Sequence, residues 1–137
     1  MSVGYEISTE FDRIDREVIW GYLGTEAYWG RWRTRELVEA QIDRAWRVVG
    51  AYQSSTGAMV GFARVLSDGI GLAYLADVFV LPEHQGHGIA TAMLEELIER
   101  GPGAHLRWTL FTSDAHGLYR KFGFAPADDT AMVRPAR

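Results

Sequence analysis

The chain has 137 residues, 47% of them hydrophobic, with fourteen Lys and Arg against eighteen Asp and Glu for a net charge of −4, and no cysteine. That length fits one compact domain with its own core, so residues 1–137 are read as a single domain. The acidic balance argues against a binder of nucleic-acid backbones, and the lack of cysteine removes disulfides, thiolate metal sites and a cysteine nucleophile. The N-terminal stretch "MSVGYEISTEFDRIDREV" is acidic where a signal peptide is basic and then apolar, and no apolar run reaches membrane-spanning length. The expected setting is soluble and cytoplasmic, with neither membrane nor nucleic acid as a partner.

In chain order, residues 3–8 read as a short strand. Ile14, Val18, Ile19, Tyr22 and Leu23 then fall at helical spacing. The aromatic and arginine-rich break "YWGRWRT" precedes a second helix with Thr34 as its cap and Val38, Ile42, Ala45 and Trp46 on one face. "RVVGAYQ" and "AMVGFARVL", separated by "SSTG", predict a hairpin, and "GLAYLADVFV" predicts a third antiparallel strand after a turn at Asp68 and Gly69. A helix from about Gly86 to Arg100 follows, with Ala90, Met93, Leu94, Leu97 and Ile98 inward. "HLRWTLFT" reads as a strand, "DAHGLYRKF" as a short helix and "GFAPADDTAMVRP" as a terminal strand or pair. The class is α+β, verging on α/β.

The stretch "HQGHGIAT" joins the third strand to the helix. A helix start carries unpaired N–H groups and partial positive charge, so a glycine turn leading into it suits phosphate. The lysine-bearing phosphate loop G-x-x-x-x-G-K-S/T does not match. In G-x-G-x-x-G, Gly86 and Gly88 fit but Thr91 stands at the third glycine. A tight turn into a helix is the plain structural alternative.

The wider stretch "DVFVLPEHQGHGIATAML" resembles the acetyl-CoA signature of the GNAT superfamily of N-acyltransferases, Q/R-x-x-G-x-G/A after a strand ending V-x-P. The matching residues are Gln85, Gly86, His87, Gly88, Ile89 and Ala90 after Val80, Leu81 and Pro82. "DAHGLYRKFGF" is similar to the family's A-x-x-x-Y-x-x-x-G-F segment through Ala115, Tyr119, Gly123 and Phe124. The likeness is clear from Met59 to Phe124. It implies a mixed sheet splayed at the fourth and fifth strands, acetyl-CoA as acyl donor, no metal, a primary amine as acceptor, and room for a homodimer. It also implies that the loop's amides cradle the coenzyme pyrophosphate and that the strand ending at Phe79 and Val80 binds the pantetheine arm. Two departures stand out: Gln85 replaces the commoner arginine, and Thr112 stands where many members carry asparagine before the last helix. Thr112 is kept among the expected coenzyme contacts.

Acyl transfer to an amine needs a neutral amine, a donor for the oxyanion and a proton for the departing thiolate. Tyr119 is the expected acid and the Val80 N–H the expected oxyanion donor. Asp77, His116 and Tyr74 are candidate bases, Asp77 first, because an acid inside an apolar run is costly unless paired or set at a cleft. Tyr28, Trp29 and Arg31, with Tyr74, are expected to meet the acceptor, by analogy with the family. His84 and His87 lack further ligands for a metal. Ser54, Ser55, Ser67 and Ser113 lie outside any G-x-S-x-G elbow, so direct attack in a ternary complex is expected. The alternative is a non-catalytic acyl-CoA-binding regulatory module.

Overall fold

A computed structural model describes residues 4–25 and 33–136. It arranges them as β1 (Tyr5–Ser8), α1 (Arg16–Thr25), α2 (Arg35–Asp43), β2 (Arg47–Gln53), β3 (Met59–Ser67), β4 (Leu72–Val80), α3 (Ile89–Leu94), β5 (Arg107–Thr109) and α4 (His116–Arg120). The local chemistry is as the sequence anticipates in several places. Asp15 Oδ1 accepts the Glu17 and Val18 N–H groups at the start of α1, and Thr34 Oγ1 accepts the Leu37 N–H at the start of α2. Asp68 closes the β3–β4 turn by accepting from Ile70 and Gly71, with Gly69 at φ +76°.

The sheet order is β1-β2-β3-β4-β5, antiparallel except for the parallel pair β4–β5. Alternate strand residues feed two cores, one on each face. Val48, Tyr52, Met59, Phe62 and Phe79 join Ile19 and Leu23 of α1 and Val38 and Ile42 of α2. Val49, Ala51, Val65, Ala73 and Leu75 join Ile89, Met93 and Leu94 of α3, with Leu97 and Ile98 beyond it. This is one α+β domain with helices on both faces of a mixed sheet.

Four expectations are corrected. The third helix starts at Ile89 rather than Gly86 and leaves α-geometry after Leu94, continuing as a π-helical segment over Glu95–Glu99 in which Arg100 N–H reaches Glu95 O at 3.0 Å. Trp46 lies past the end of α2 and packs on the α3-side core, because its N–H already enters the sheet at Val65 O. Only Arg107–Thr109 of "HLRWTLFT" is strand, as pairing with β4 ends at Tyr74↔Thr109. Residues 125–136 form no strand and are exposed, Met132 to 95% and Val133 to 67%. None of the described helices is long and apolar enough to cross a membrane.

Candidate active site

Parallel pairing between β4 and β5 ends at Tyr74↔Thr109, while β4 runs on to Val80. The far edge of β4 is therefore left without a strand partner, and two cavities open there. One, of about 330 Å³, is lined by Phe79, Val80, Gln85, Gly86, Ile89, Ala90 and Leu118. The other, of about 450 Å³, is lined by Arg33, Arg64, Tyr74, Asp77, Phe111, Thr112 and Asp114. Val78, Ala115 and Tyr119 border both.

The smaller cavity is mostly apolar, with backbone at its mouth. Gly86 and Gly88 hold φ of +84° and +75°, left-handed conformations that side chains resist, and Gly88 caps α3. From Gly86 to Thr91 no backbone N–H finds an acceptor among the described residues. Six consecutive donors at a helix start make an anion cradle. Phe79 lies stacked on Tyr22, ring centroids 4.3 Å apart, and Tyr22 also lines this cavity, a contact the sequence does not single out. Gln85 Nε2 donates to Val80 O at 3.0 Å, so the residue standing where arginine is commoner fastens the loop to the strand end. His84 shares a 2.8 Å hydrogen bond with the Tyr5 hydroxyl, and His87 packs near the same ring. No three His, Asp or Glu among the described residues are grouped to hold a metal.

Val80 is turned toward the gap by the ladder. Leu81 N–H donates to Val60 O at 2.8 Å, and bonded and non-bonded pairs alternate along antiparallel strands, so the next pair, Gly61↔Val80, is non-bonded. The Val80 N–H consequently points away from β3.

Asp77 owes its orientation to a bulge. The β3–β4 register shifts between Phe62 and Arg64, placing Asp77 and Val78 together opposite Ala63, and Asp77 adopts φ +56°. Without it, Asp77 would follow Ala73 and Leu75 into the α3-side core. Instead its carboxylate meets Arg33 and Arg64. Arg33 donates to both oxygens at 2.9 and 2.8 Å, and Arg64 Nε to Oδ2 at 2.7 Å. Burial alone would raise this carboxyl; the hydrogen bonds and charges of the two guanidiniums outweigh it and hold the group below its ordinary range. A carboxylate so occupied is a weak proton acceptor. Arg33 also reaches Gln41 Oε1 at 2.6 Å.

Tyr119 is buried, edge-on to Phe124 at 5.9 Å, and its phenol is pushed up to about 12 by burial and then by the charge of Asp114. It is protonated at neutral pH. Thr112 borders the larger cavity and accepts the Ala115 N–H at 3.2 Å, steadying the entry to α4. Tyr74 lines that cavity beside Phe111, at 6.0 Å. His116 is exposed and does not line the cavity of Asp77 and Tyr74; it lines an adjoining groove beside β5 that shares Phe111, Thr112 and Tyr119 with that cavity. Tyr28, Trp29 and Arg31 lie outside the described residues. Arg33 and Arg64 are not among the residues the sequence singles out, although Arg64 carries the signal that marks Asp77, a charge inside an apolar run.

Residues 45–126 match the model of the acetyltransferase (GNAT) domain. The fold superposes on a GNAT-family protein of Xanthomonas campestris pv. campestris with TM-score 0.90 and 35% identity, covering 99% of this chain and 96% of that one. An acetyltransferase-class protein of Gibberella zeae is 32% identical over 117 residues, 79% of this chain; the chain spans 66% of that relative's length. A GNAT acetyltransferase of Brucella melitensis, solved in complex with acetyl-CoA, shares the fold at TM-score 0.66 and 24% identity, covering 89% of this chain and 83% of that one.

Proposed function

The chain belongs to the GNAT family of acetyltransferases, and on that premise we propose that it moves an acetyl group from acetyl-CoA to a primary amine by direct attack within a ternary complex. The observation that carries this reading is Tyr119, a protonated phenol at the junction of two cavities, one walled by the glycine loop and the other by charged side chains.

The donor fits the smaller cavity on chemical grounds. Amides 86–91 suit a pyrophosphate, and Phe79, Val80, Ile89 and Ala90 offer an apolar wall to the pantetheine arm. Acetyl-CoA supplies the acetyl group as a thioester, so that a carbon–nitrogen bond forms to the amine as the carbon–sulfur bond breaks. The Val80 N–H donates to the carbonyl oxygen as negative charge gathers there. Tyr119 donates to the sulfur. With the phenol near 12 and a thiol near ~8.5, complete transfer of its proton runs uphill by about 3.5 pH units, roughly 5 kcal/mol, so the hydrogen bond to developing charge is the larger contribution. Asp77 serves by organising Arg33 and Arg64, and the nitrogen's proton passes to water in the open cleft. One proton leaves nitrogen and one arrives on sulfur, so the reaction is balanced.

The test is thiol release from acetyl-CoA with a panel of amino acids, polyamines, aminoglycosides and peptide N-termini. Amine-dependent release with formation of the acetylated amine is expected. Tight acetyl-CoA binding with no amine-dependent release would mark a non-catalytic binding module.

A further inference from the structure

The sheet stops at β5, and the outer edge of that strand is open. Arg107 N–H donates to Gly71 O at 3.2 Å, so Arg107 and Thr109 face β4, and the Trp108 N–H and C=O point to the other side, where no strand among the described residues pairs with them. A groove of about 380 Å³ borders β5, with Trp108, Leu110, Phe111 and Phe124 as apolar lining. Phe111 is 66% exposed, and Leu72, which pairs with Arg107, is 56% exposed. An open strand edge with apolar flanks is a template for a further strand.

The chain also holds a strand-forming segment without a sheet. Asp128 turns the backbone, accepting the Thr130 N–H at its side chain at 3.0 Å and the Ala131 N–H at its carbonyl at 3.2 Å. Beyond that turn, residues 132–136 make no hydrogen bond among the described residues, and Met132 and Val133 stand in solvent. Residues 130–134 have ordinary strand length and include β-favouring Thr and Val, with Pro135 as the stop. The charges match as well, since the groove carries Arg107 and Arg120 and no carboxylate, while the segment opens with Asp129. We propose that the open edge of β5 receives residues 129–134 of a second copy of this chain. Within one chain the segment stands clear of its own groove, so the exchange is between copies, and a two-fold axis makes it reciprocal, each copy giving one strand and receiving one. Because Phe111, Thr112 and Tyr119 border both this groove and the larger cavity, the incoming segment lies against the candidate active site. The assignment goes beyond acetyl transfer and is read without it.

Sedimentation of the full chain over about 1 μM to 1 mM should show a species of twice one chain's mass. Met132→Asp combined with Val133→Asp should raise its dissociation constant by at least about 100-fold, as the loss of two buried apolar side chains warrants, with circular dichroism reporting an unchanged fold. The chain has no cysteine, so single-thiol variants locate the contact. Thr109→Cys chains mixed with Val133→Cys chains should be joined by a short bismaleimide into covalent pairs, far more than either variant alone. A wild type that stays monomeric through that range would overturn the proposal, as would a dimer unweakened in the folded Met132→Asp, Val133→Asp variant. So would a doubly substituted chain, Thr109→Cys with Val133→Cys, that links within itself and keeps the mass of one chain, because the segment would then cover its own edge.

Discussion

Two sides of one gap in the sheet are built from different materials. Toward α3 the wall is backbone: six amides without acceptors and two glycines in left-handed geometry, with side chains supplying only an apolar lining. Toward α2 it is side chain, Arg64 and Arg33 fastened to Asp77 across a bulge. A backbone cradle depends on local conformation, so it is written in a short motif and suits a ligand shared across a family. A side-chain cluster depends on which strands and helices meet, so it can change with the acceptor while the cradle stays the same. Tyr119 belongs to both sides.

The largest expected effect on rate is at that shared residue. Tyr119→Phe should lower kcat by roughly 10²- to 10³-fold, about 2.7 to 4 kcal/mol of barrier, at neutral pH with acetyl-CoA affinity nearly intact, since the ring still packs on Phe124. Because the phenol stays protonated well past the thiol's ~8.5, that hydrogen bond persists and the deficit should hold from about pH 7 to 9, whereas narrowing past ~8.5 would mark full proton transfer as the larger role. Pre-steady-state and steady-state rates against pH measure both. An unchanged kcat at about pH 7 with chemistry rate-limiting would make Tyr119 a packing residue.

Asp77→Ala tests whether the acceptor side is structural as well as chemical. Removing the carboxylate leaves two buried guanidiniums facing each other, at a cost of about 3 to 5 kcal/mol in urea unfolding. Because this carboxyl sits lower in the folded protein than unfolded, its contribution is present above about pH 4 and is lost as pH falls below that. Asp77→Asn should flatten the acid limb of the stability curve, and a limb as steep as the wild type's would show that other carboxylates cause it.

At the glycine loop the expectation is reversed, with affinity lost and stability lowered only by the roughly 1 to 2 kcal/mol that a side chain costs at a left-handed position. Gly88→Glu should weaken acetyl-CoA binding by about 100-fold, or ~2.7 kcal/mol, by setting negative charge against the phosphates. Gly88→Asn, whose side chain tolerates φ near +75°, separates charge from backbone strain and should bind far more tightly than the glutamate variant. Equal losses in both would assign the effect to conformation alone. The smallest effect is expected away from the gap. Thr34→Ala removes the cap of α2 and should cost about 1 kcal/mol of stability without changing coenzyme affinity.

The sequence by itself determined what is local. Alternation and turn chemistry give β2, β3 and β4, the Thr34 cap follows from its position before a helical pattern, and the glycine loop and Tyr119 stand in recognisable motifs because backbone geometry and short-range spacing define them. Tertiary structure decided the rest. The bulge that turns Asp77 from the α3 core to Arg33 and Arg64 depends on register between two strands, which neither strand's own pattern reveals. His116 lies in an adjoining groove rather than in the cavity of Asp77 and Tyr74, a placement set by where the short α4 packs and not by its own spacing. Arg64 and Asp77 both interrupt apolar runs, but only the folded sheet shows that one carboxylate is shared by two arginines.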